Sequence, residues 1–396
     1  MDETAIVEQR LATLLADHPP ATTDERTFWG AQFDAGLAWV QFPEGYGGCG
    51  VSPRHQATVD HAIVAAGGTT RNRIDNVLGV GMGAGTIMAH GTDEHRRRFL
   101  RPMFTMEEIW CQLFSEPGAG SDLAALSTSA VREDDHWIVN GQKVWTTLGH
   151  LARWGLLVAR TDPDVPKHAG LTYFLLDMEA DGVEVRPLYQ ITGEAEFNEV
   201  YLTDVVIPDD HRVGEVGQGW TVAMTTLMNE RVAIGGTVQP RGSGAIGEAL
   251  DIWRERHGPE GDPVRKDQLM RLWVEAEAMR LTTVRAKEAA STGTPGPEGS
   301  TAKLQWAELN KRITSFSLDL LGHEALTYPG GYRFVRPDGS ADVAGAPHKR
   351  FLRARANSIE GGTSEIMKNI LGERVLGLPG EPRVDKDRPW REVPRS

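Results

Sequence analysis

The chain has 396 residues, enough for two or three domains, because a single hydrophobic core stops growing near about 250 to 300 residues. Hydrophobic residues make up 40% of it, and no apolar stretch approaches the roughly 20 residues of a membrane-spanning helix, so we expect no membrane contact. The net charge of -13, from 55 acidic and 42 basic residues, disfavours nucleic acid and anionic membranes as partners.

Residues 1–110 are predicted to form a helical amino-terminal domain. Residues 1–10 mix acids with apolar residues and lack the basic start and apolar middle of an export signal, so we expect a cytoplasmic protein. Apolar residues then recur at helical spacing, which predicts amphipathic helices with one buried face. They form two stripes: Val7, Leu11, Leu14 and Leu15, and further on Val59, Ala62, Ile63 and Ala66.

Residues 111–214 are predicted to form a middle β domain. From about Trp110 to Pro208, short runs rich in β-branched and aromatic residues follow one another, separated by Gly, Asp, Asn and Pro. The runs are HWIVNG, WGLLVAR, LTYFLLDM, VEVRPLY and EVYLTDVVIP. Because no helical pattern separates them, we expect a compact antiparallel sheet or barrel.

Residues 215–396 are predicted to form a second helical domain. The helical period returns in WTVAMTTLMNERVAIGG, again over residues 267–290, and then at Leu309, Ile313, Phe316 and Leu320. The segment STGTPGPEGS is predicted to be the loop between two long helices. The polar tail after Gly377 is expected to be loosely held.

A loop of small residues begins the predicted β region, in the segment LFSEPGAGSDLAAL. Gly118, Gly120 and Ser121 would let backbone N–H groups approach a ligand closely and donate to an anion such as a pyrophosphate. An ordinary turn uses the same residue types. The loop by itself therefore leaves a binding role and a purely structural role open.

A second motif, GQKVWTTLGHLARW, follows about two dozen residues later. Trp145 and Thr147 are separated by one residue, so an extended backbone would point both to the same side. A large aromatic surface beside a hydroxyl could cover a flat heterocycle and hydrogen-bond its edge. Core packing is the alternative for Trp145, because the chain contains 11 Trp residues.

Together with four further segments, these motifs resemble the acyl-CoA dehydrogenase family. The segments are PEGYGG at 43–48, FNEVYLTDVVIP at 197–208, NER at 229–231 and GGTSEIMKNILGERVLGLP at 361–379. The resemblance runs in order from about residue 5 to residue 380. It implies a helical amino-terminal domain, a middle β domain and a carboxyl-terminal four-helix bundle, with FAD between the β domain and the bundle. It also implies removal of a hydrogen pair from the α and β carbons of an acyl-CoA thioester.

The resemblance assigns roles to the residues at matching motif positions. Those that correspond to FAD contacts are Phe114, Ser115, Gly120 and Ser121 in the pyrophosphate loop, Trp145 and Thr147 against the isoalloxazine, and Thr363 and Glu365 beside the bundle. Ser121 and Arg231 correspond to positions near the CoA substrate. At the position of Glu365 the family often has Gln.

The family reaction needs a carboxylate that takes the α proton while the β hydrogen leaves as hydride to the flavin. Many members keep this Glu immediately before a Gly-Thr pair. At the matching position this chain has Gly361, with Glu360 one residue out of place. The usual base is therefore absent from its usual position.

Another branch of the family supplies its base from a bundle helix, at a Glu immediately before an arginine. Glu230 followed by Arg231 matches that pattern. Ala223, Leu227 and Ile234 lie at i-7, i-3 and i+4 from Glu230, which would place this carboxylate on an apolar stripe. Burial would raise its pKa and suit it to proton abstraction. The alternative is a surface Glu within a solvated Asn-Glu-Arg run.

The resemblance implies electron-transfer flavoprotein as the electron acceptor and a homotetramer as the assembly. Two segments that help a neighbouring subunit grip the FAD adenosine half in relatives differ here, as RERHGPEGDPVRKD and LLGHEALTYPG. A homodimer, a homotetramer and a mixed assembly with a related chain are therefore all open. Cys49 and Cys111 lie in no Cys/His cluster, so neither a disulfide framework nor a metal site is expected.

Other functions fit the same fold. A flavin oxidase or monooxygenase would replace desaturation by oxygen chemistry, and a non-catalytic flavin-bearing subunit would stabilise a partner chain. The DNA-associated branch is disfavoured by the net charge and by the lack of a basic carboxyl-terminal region. Short, branched, long, steroid side-chain and carrier-protein thioesters all stay open as substrates, because one methylene changes binding by only about 1 to 3 kcal/mol.

Overall fold

The computed structural model describes residues 2–235, 238, 240–258, 260–292, 298–329, 331–339, 345–383 and 385–394. The side chains of residues 230–235, 287, 289–292 and 298–299 also lie outside the description. Over the described part of the chain, no helix combines the length and the apolar character that crossing a bilayer requires. Helices come first, then a sheet, then helices again, which confirms the predicted fold class.

Residues 2–104 form a layer of helices. These are α1 (Glu3–Asp17), α2 (Glu25–Asp34), α3 (Gln56–Ala65), α4 (Asn72–Asp75), α5 (Ala84–His90) and α6 (Asp93–Phe104), with a π-helical segment, Val77–Gly83, just before α5. The sequence sets their starts: the Asp24 carboxylate accepts the N–H of Thr27, and Thr92 and His95 form a reciprocal capping box. The two apolar stripes face the interior through Val7, Leu11, Leu14, Val59 and Ile63.

Residues 110–213, all of them described, form an eight-stranded sheet. Its strands are β1 (Trp110–Leu113), β2 (Ser129–Glu133), β3 (His136–Thr147), β4 (Trp154–Arg160), β5 (Leu171–Asp177), β6 (Val183–Leu188), β7 (Phe197–Pro208) and β8 (Arg212–Val213). Across the sheet the order is β6, β7, β3, β2, β4, β5, β8, and β1 lies beside β4.

Most strand pairs are antiparallel, as predicted, but β1 is an exception. It runs parallel to β4, with Trp110 opposite Trp154, and β2 also makes one parallel pair with β4, at Ser129 and Arg160. The β2–β3 hairpin separates β1 from β4 in the chain, and a connection of this length allows two strands to run in the same direction. Hydrophobic pattern alone carries no information about strand direction.

Strand β4 is buried along its whole length. Leu156 and Val158 contribute to a core shared with the amino-terminal helices. Leu157 and Ala159 contribute to a second core on the opposite face of the sheet. Because side chains alternate between the faces of a strand, β4 supports both cores at once.

The carboxyl-terminal part is helical. Its helices are α7 (Gly219–Gly235), α8 (Ala245–Arg256), α9 (Pro263–Thr292), α10 (Glu298–Leu320), α11 (Pro347–Ala354) and α12 (Ser364–Ile370). The predicted stripe on α10, from Leu309 to Leu320, is buried against α8 and α9. Helix α7 instead packs Val222 and Ala223 into the core beneath the amino-terminal helices. Of the predicted loop at 291–300, residues 293–297 lie outside the described residues.

The far part of the tail beyond Gly377, residues 385–391, departs from the expectation of a loosely held segment, whereas residues 378–383 are exposed. Trp390 is only 8% exposed, and its backbone N–H donates to the carbonyl of Val165 at 2.9 Å. The expectation is wrong for this stretch. It rests on the polar composition of the tail, and composition does not show that one aromatic residue, Trp390, is anchored.

Candidate cofactor and active site

The small-residue loop between β1 and β2 lies on the surface. The N–H of Glu116 donates to the carbonyl of Ala119 at 3.1 Å, and the N–H of Ala119 donates back to the carbonyl of Glu116 at 3.0 Å, which closes a tight turn. Among the described residues, no acceptor takes the N–H groups of Gly118, Gly120 or Ser121. No atom stands within 4 Å of a Cβ built at either glycine. The loop therefore presents free backbone donors, which suit an anion such as a diphosphate.

Phe114 and Ser115 connect this loop to the sheet. The Phe114 side chain is buried and meets the Tyr173 ring edge-on, with centroids 5.9 Å apart. The carbonyl of Ser115 accepts the N–H of Val144 at 2.9 Å. Phe114 can therefore offer a ligand only its backbone, and the predicted cofactor contacts of both residues stay predictions.

A buried ion pair lies behind the loop. Lys143, on β3, is fully buried, and its Nζ donates to Oε1 of Glu116 at 2.8 Å and to the carbonyls of Phe114 and Val158. Glu116 also accepts the N–H groups of Ser127, at 2.6 Å, and of Thr128, at 2.9 Å. Burial pushes the pKa of Glu116 upward, but the charge and hydrogen bonds of Lys143 outweigh burial and hold that pKa below its ordinary value.

Trp145 stands at the exposed end of β3. Its backbone is left-handed, with φ of 61°, and the pairing of β3 with β7 shifts between Lys143 and Thr146. The strand is thus not regularly extended here, although the prediction that Trp145 and Thr147 point to the same side assumes an extended backbone. Exposure nevertheless alternates: Trp145 is 57% exposed, Thr146 is buried and Thr147 is half-buried. A bulky residue with left-handed backbone and an exposed ring is typical of functional sites.

The segment that carries Thr363 and Glu365 begins at two glycines with left-handed backbone, Gly361 with φ of 61° and Gly362 with φ of 93°. The hydroxyl oxygen of Thr363 accepts the N–H of Ile366 at 3.1 Å, which starts α12. That bond leaves the hydroxyl proton of Thr363 available to another acceptor. The Glu365 side chain is exposed in the first turn.

A chain of contacts joins Trp145 to this segment across the junction between the sheet and the helices. The Trp145 ring lies edge-on to Phe197, with centroids 5.7 Å apart. The Arg353 guanidinium, from α11, lies 5.8 Å from the centroid of the same Phe197 ring. It also donates to the Glu360 carboxylate at 2.9 Å. Glu360 immediately precedes Gly361. These contacts bring Trp145 and the segment that begins at Gly361 to the same junction, and the Lys143–Glu116 pair joins the strand of Trp145 to the loop at 116–121.

The side chains of Glu230 and Arg231 lie outside the described residues. The preceding turn of α7 is well fixed: Thr226 is fully buried, its hydroxyl lies 2.9 Å from that of Thr86, and the Tyr173 hydroxyl lies 3.1 Å from Thr226 Oγ1. Burial raises the pKa of Tyr173, which keeps this phenol protonated and able to donate. Helix α7 is thereby held to β5 and to α5, next to the π-helical segment.

Sequence reasoning missed the importance of Glu116 and Lys143. Both stand inside the quoted motifs, and a lysine at an inward position of a strand is the one available signal. The partner could not be inferred, because the two residues are 27 positions apart and meet only through the sheet.

Free N–H donors on a loop, an exposed indole and a glycine turn before a helix are features that suit a flat, diphosphate-bearing cofactor. Three family models match the chain: acyl-CoA dehydrogenase, N-terminal domain, at residues 4–107, the middle domain at 111–205 and the C-terminal domain at 217–376. The chain belongs to the acyl-CoA dehydrogenase family, whose members are FAD-binding oxidoreductases of lipid metabolism. The predicted family and enzyme class are confirmed.

Two relatives from Mycobacterium tuberculosis are close in sequence. Acyl-CoA dehydrogenase IpdE1 is 37% identical over 370 residues, which cover 90% of this chain and 89% of the relative. Acyl-CoA dehydrogenase FadE34 is 40% identical over 380 residues, which cover 95% of this chain but 49% of the relative. The chain thus spans about half the length of FadE34.

Two solved structures share the fold over nearly the whole chain. The Tcur3481-Tcur3483 steroid ACAD is 25% identical with a TM-score of 0.73, covering 96% of this chain and 100% of that one. The ChsE4-ChsE5 complex from Mycobacterium tuberculosis is 27% identical with a TM-score of 0.71, covering 96% and 98%. Both are named as pairs of proteins.

Proposed function

We propose that this chain catalyses the α,β-dehydrogenation of an acyl-CoA thioester, with FAD held between the sheet and the bundle. One observation carries the proposal: the exposed indole of Trp145 stands at the domain junction and connects through Phe197 and Arg353 to the segment of Thr363. The Trp145 ring is exposed on a left-handed backbone, and such strained residues cluster at functional sites. In a chain of this family, the group expected to pack against the Trp145 ring is the flat ring system of FAD.

The residues present fit FAD in their chemistry. The free N–H groups of Gly120 and Ser121 would hold the diphosphate, and Trp145 and Thr147 would hold the ring system. Thr363 and Glu365 would complete the site from the bundle, although a carboxylate is a weaker partner than the Gln of many relatives, since it can only accept. Bound FAD would supply the acceptor for the hydride that leaves the β carbon.

Glu230 is the proposed base that takes the α proton. The residues seven and four positions before it on α7, Ala223 and Thr226, are fully buried, which supports a partly buried position one turn further along. Glu360 is a poor alternative, because its carboxylate already accepts hydrogen bonds from Arg353 and from Asn357. Arg231, beside the base, and Ser121 are the proposed contacts to the CoA substrate.

Anaerobic titration of the purified, FAD-loaded chain with acyl-CoA thioesters tests the proposal. We expect at least one thioester to bleach the flavin absorption. The panel should run from short to long and branched chains, and it should include steroid side-chain thioesters, because one structural neighbour is named a steroid ACAD. If a chain that holds FAD is bleached by no member of the panel, the proposal fails. Rapid oxygen consumption by the reduced protein would favour an oxidase instead.

We further propose electron-transfer flavoprotein as the electron acceptor and a cytoplasmic location. For the assembly, two neighbours named as protein pairs support a mixed oligomer with a related chain over a homodimer or homotetramer. Size-exclusion chromatography of the chain expressed alone, with the FAD-to-chain ratio, tests this. A stable, fully loaded and active homo-oligomer would contradict both the mixed assembly and a purely non-catalytic role.

A further inference from the structure

The carboxyl-terminal tail returns from the bundle and lies along the loop between β4 and β5. Residues Pro166 and Pro389 form an isolated bridge, and the N–H groups of Trp390 and Arg391 donate to the carbonyls of Val165, at 2.9 Å, and Pro163, at 3.1 Å. The family's C-terminal model ends at residue 376. This contact is therefore made by a part of the chain beyond the matched domain.

Trp390 covers a buried arginine. The indole is 8% exposed, and its ring centroid lies 4.2 Å from the guanidinium carbon of Arg160, at the end of β4. The indole N–H donates to the carbonyl of Ala125 at 3.1 Å. A guanidinium stacked on an indole away from water is among the stronger cation–π arrangements.

Arg160 and Trp390 together hold three successive carbonyls. The Arg160 side chain, 3% exposed, donates to the carbonyl of Ala124 at 2.6 Å and to that of Leu126 at 3.1 Å. Trp390 takes the carbonyl between them, at Ala125. These carbonyls belong to the short helical turn that follows Ser121 and Asp122 directly. A turn whose carbonyls are all satisfied by fixed donors has little freedom to move.

Lys167 makes a second link from the tail to the loop. Its Nζ donates to the carboxylate of Asp122, next to Ser121, at 2.7 Å, and also to that of Asp385 in the tail. The lysine is 13% exposed, so both bonds are partly shielded from water. The loop is thus held at Asp122 and again at residues 124–126.

We infer that the tail segment 385–391 is a brace for the surface loop, and that Trp390 is a positioning residue for the N–H donors of Gly120 and Ser121. Trp390 touches the turn behind these donors and lies outside the set proposed to contact FAD. The inference rests on the proposed function, because it assumes that these donors bind the diphosphate of FAD. Preorganised donors bind more tightly, since less freedom is lost on binding.

Replacing Trp390 by Ala tests the brace, with Trp29→Ala as a matched control. Trp29 is also buried, at 4% exposed, and its indole N–H also donates to a backbone carbonyl, that of Thr69 at 3.3 Å, but it lies on α2. We expect Trp390→Ala to weaken FAD binding by about ten- to thirtyfold, the effect of one lost hydrogen bond and one cation–π contact. Trp29→Ala should leave the dissociation constant of FAD unchanged in the folded fraction.

A second readout uses the FAD-free protein. Hydrogen exchange of the Ala125 and Leu126 amides, which donate to the carbonyls of Asp122 and Leu123, should speed up in Trp390→Ala and stay unchanged in the Trp29 control. Trp390→Phe keeps a ring on Arg160 but loses the N–H donor, so it should restore part of the FAD affinity. If Trp390→Ala fails to fold, Lys167→Met provides the same test through the second link.

The outcomes separate the two proposals. A wild-type dissociation constant for FAD in folded Trp390→Ala overturns the brace, even if the two amides exchange faster, and leaves the dehydrogenase proposal intact. If wild-type protein binds FAD but no thioester bleaches its flavin, the dehydrogenase proposal fails. The brace is still tested in that case, by the FAD dissociation constants of the two Trp variants. Equal weakening of FAD binding in Trp390→Ala and Trp29→Ala also overturns the brace, because the effect would then reflect a general loss of stability.

Discussion

Lys143 and Glu116 form an ion pair of 2.8 Å directly behind the surface loop, where Lys143 is fully buried and Glu116 is 8% exposed. The pair joins β3, the strand that carries Trp145, to the loop that carries Gly120 and Ser121. These are the two elements proposed to hold the rings and the diphosphate of FAD. A pair placed between them fixes their spacing, so its loss should affect both stability and cofactor binding.

Removing one member of the pair should be costly. Lys143→Met leaves a buried carboxylate without its partner, and we expect the free energy of unfolding to fall by about 3 to 5 kcal/mol. The double variant Lys143→Met/Glu116→Gln should be less destabilised than the sum of the two single variants. Urea unfolding of all four proteins measures this. As a control, Arg186→Met, which breaks an exposed pair with Glu184, should change little. Simple additivity of the two buried substitutions would show that the pair is not coupled.

Acid should weaken the same interaction. The pKa of Glu116 is depressed in the folded protein, because the charge of Lys143 and the hydrogen bonds to the carboxylate outweigh burial. A carboxyl with a depressed folded pKa stabilises fully above its unfolded pKa and loses that contribution as pH falls through the folded pKa. The stability difference between wild type and Glu116→Gln should therefore stay constant from neutral pH down to about the ordinary value of 4.5 and shrink below it. A difference that widens toward acid in urea titrations would contradict this.

The base assignment predicts a contrast between two glutamates. Glu230→Gln keeps the shape of the side chain but cannot take a proton, so we expect at least about a hundredfold loss of acyl-CoA-dependent flavin reduction with an unchanged flavin spectrum. Glu360→Gln should keep much of the activity, because its carboxylate serves Arg353 and Asn357. Stopped-flow reduction of both variants measures the contrast. Retained turnover in Glu230→Gln would refute the assignment.

The position of α7 should depend on Thr226. Thr226→Val removes the hydroxyl that meets Tyr173 and Thr86 in the interior. The Tyr173 hydroxyl then loses its partner, while Thr86 keeps its bond to the carbonyl of Met82, and the change should cost about 1 to 3 kcal/mol in the free energy of unfolding. Because α7 carries the proposed base, the reduction rate should fall as well. Thr225→Val, one residue earlier and bonded to His90, lies nearer the surface and should cost less. Thermal denaturation together with flavin reduction rates separates the two effects. Equal losses in both variants would argue against a special role for Thr226.

Much of the fold was predictable from the sequence, because the hydrophobic period changes where the architecture changes. The stripe at Leu309 and Leu320 and the run WGLLVAR are strong local signals, and both describe buried elements. The direction of β1 was not predictable, since a strand looks the same whether its neighbour is parallel or antiparallel. The anchoring of Trp390 was also invisible, because its partners Arg160 and Ala125 lie more than two hundred residues earlier.

The candidate site was predictable only in its parts. Gly120, Ser121 and Trp145 stand in recognisable motifs, and the Lys143–Glu116 pair joins the strand of Trp145 to the loop of the other two. What sequence reasoning lacked was the connection between them, which runs through the side chains of Phe197 and Arg353 and through the buried Lys143. Contacts of this kind depend on tertiary packing and leave no periodic trace in the chain.

Strand β4 has a consequence for how the chain can be divided. Leu156 and Val158 lie in the core that the sheet shares with the amino-terminal helices and with α7, while Leu157 and Ala159 lie in the core on the opposite face. A fragment limited to residues 111–205 would expose to water the apolar side chains that β4 and β5 contribute to the shared core. The three matched segments are therefore distinguishable in sequence yet interdependent in folding, and the first and second should melt as one cooperative unit.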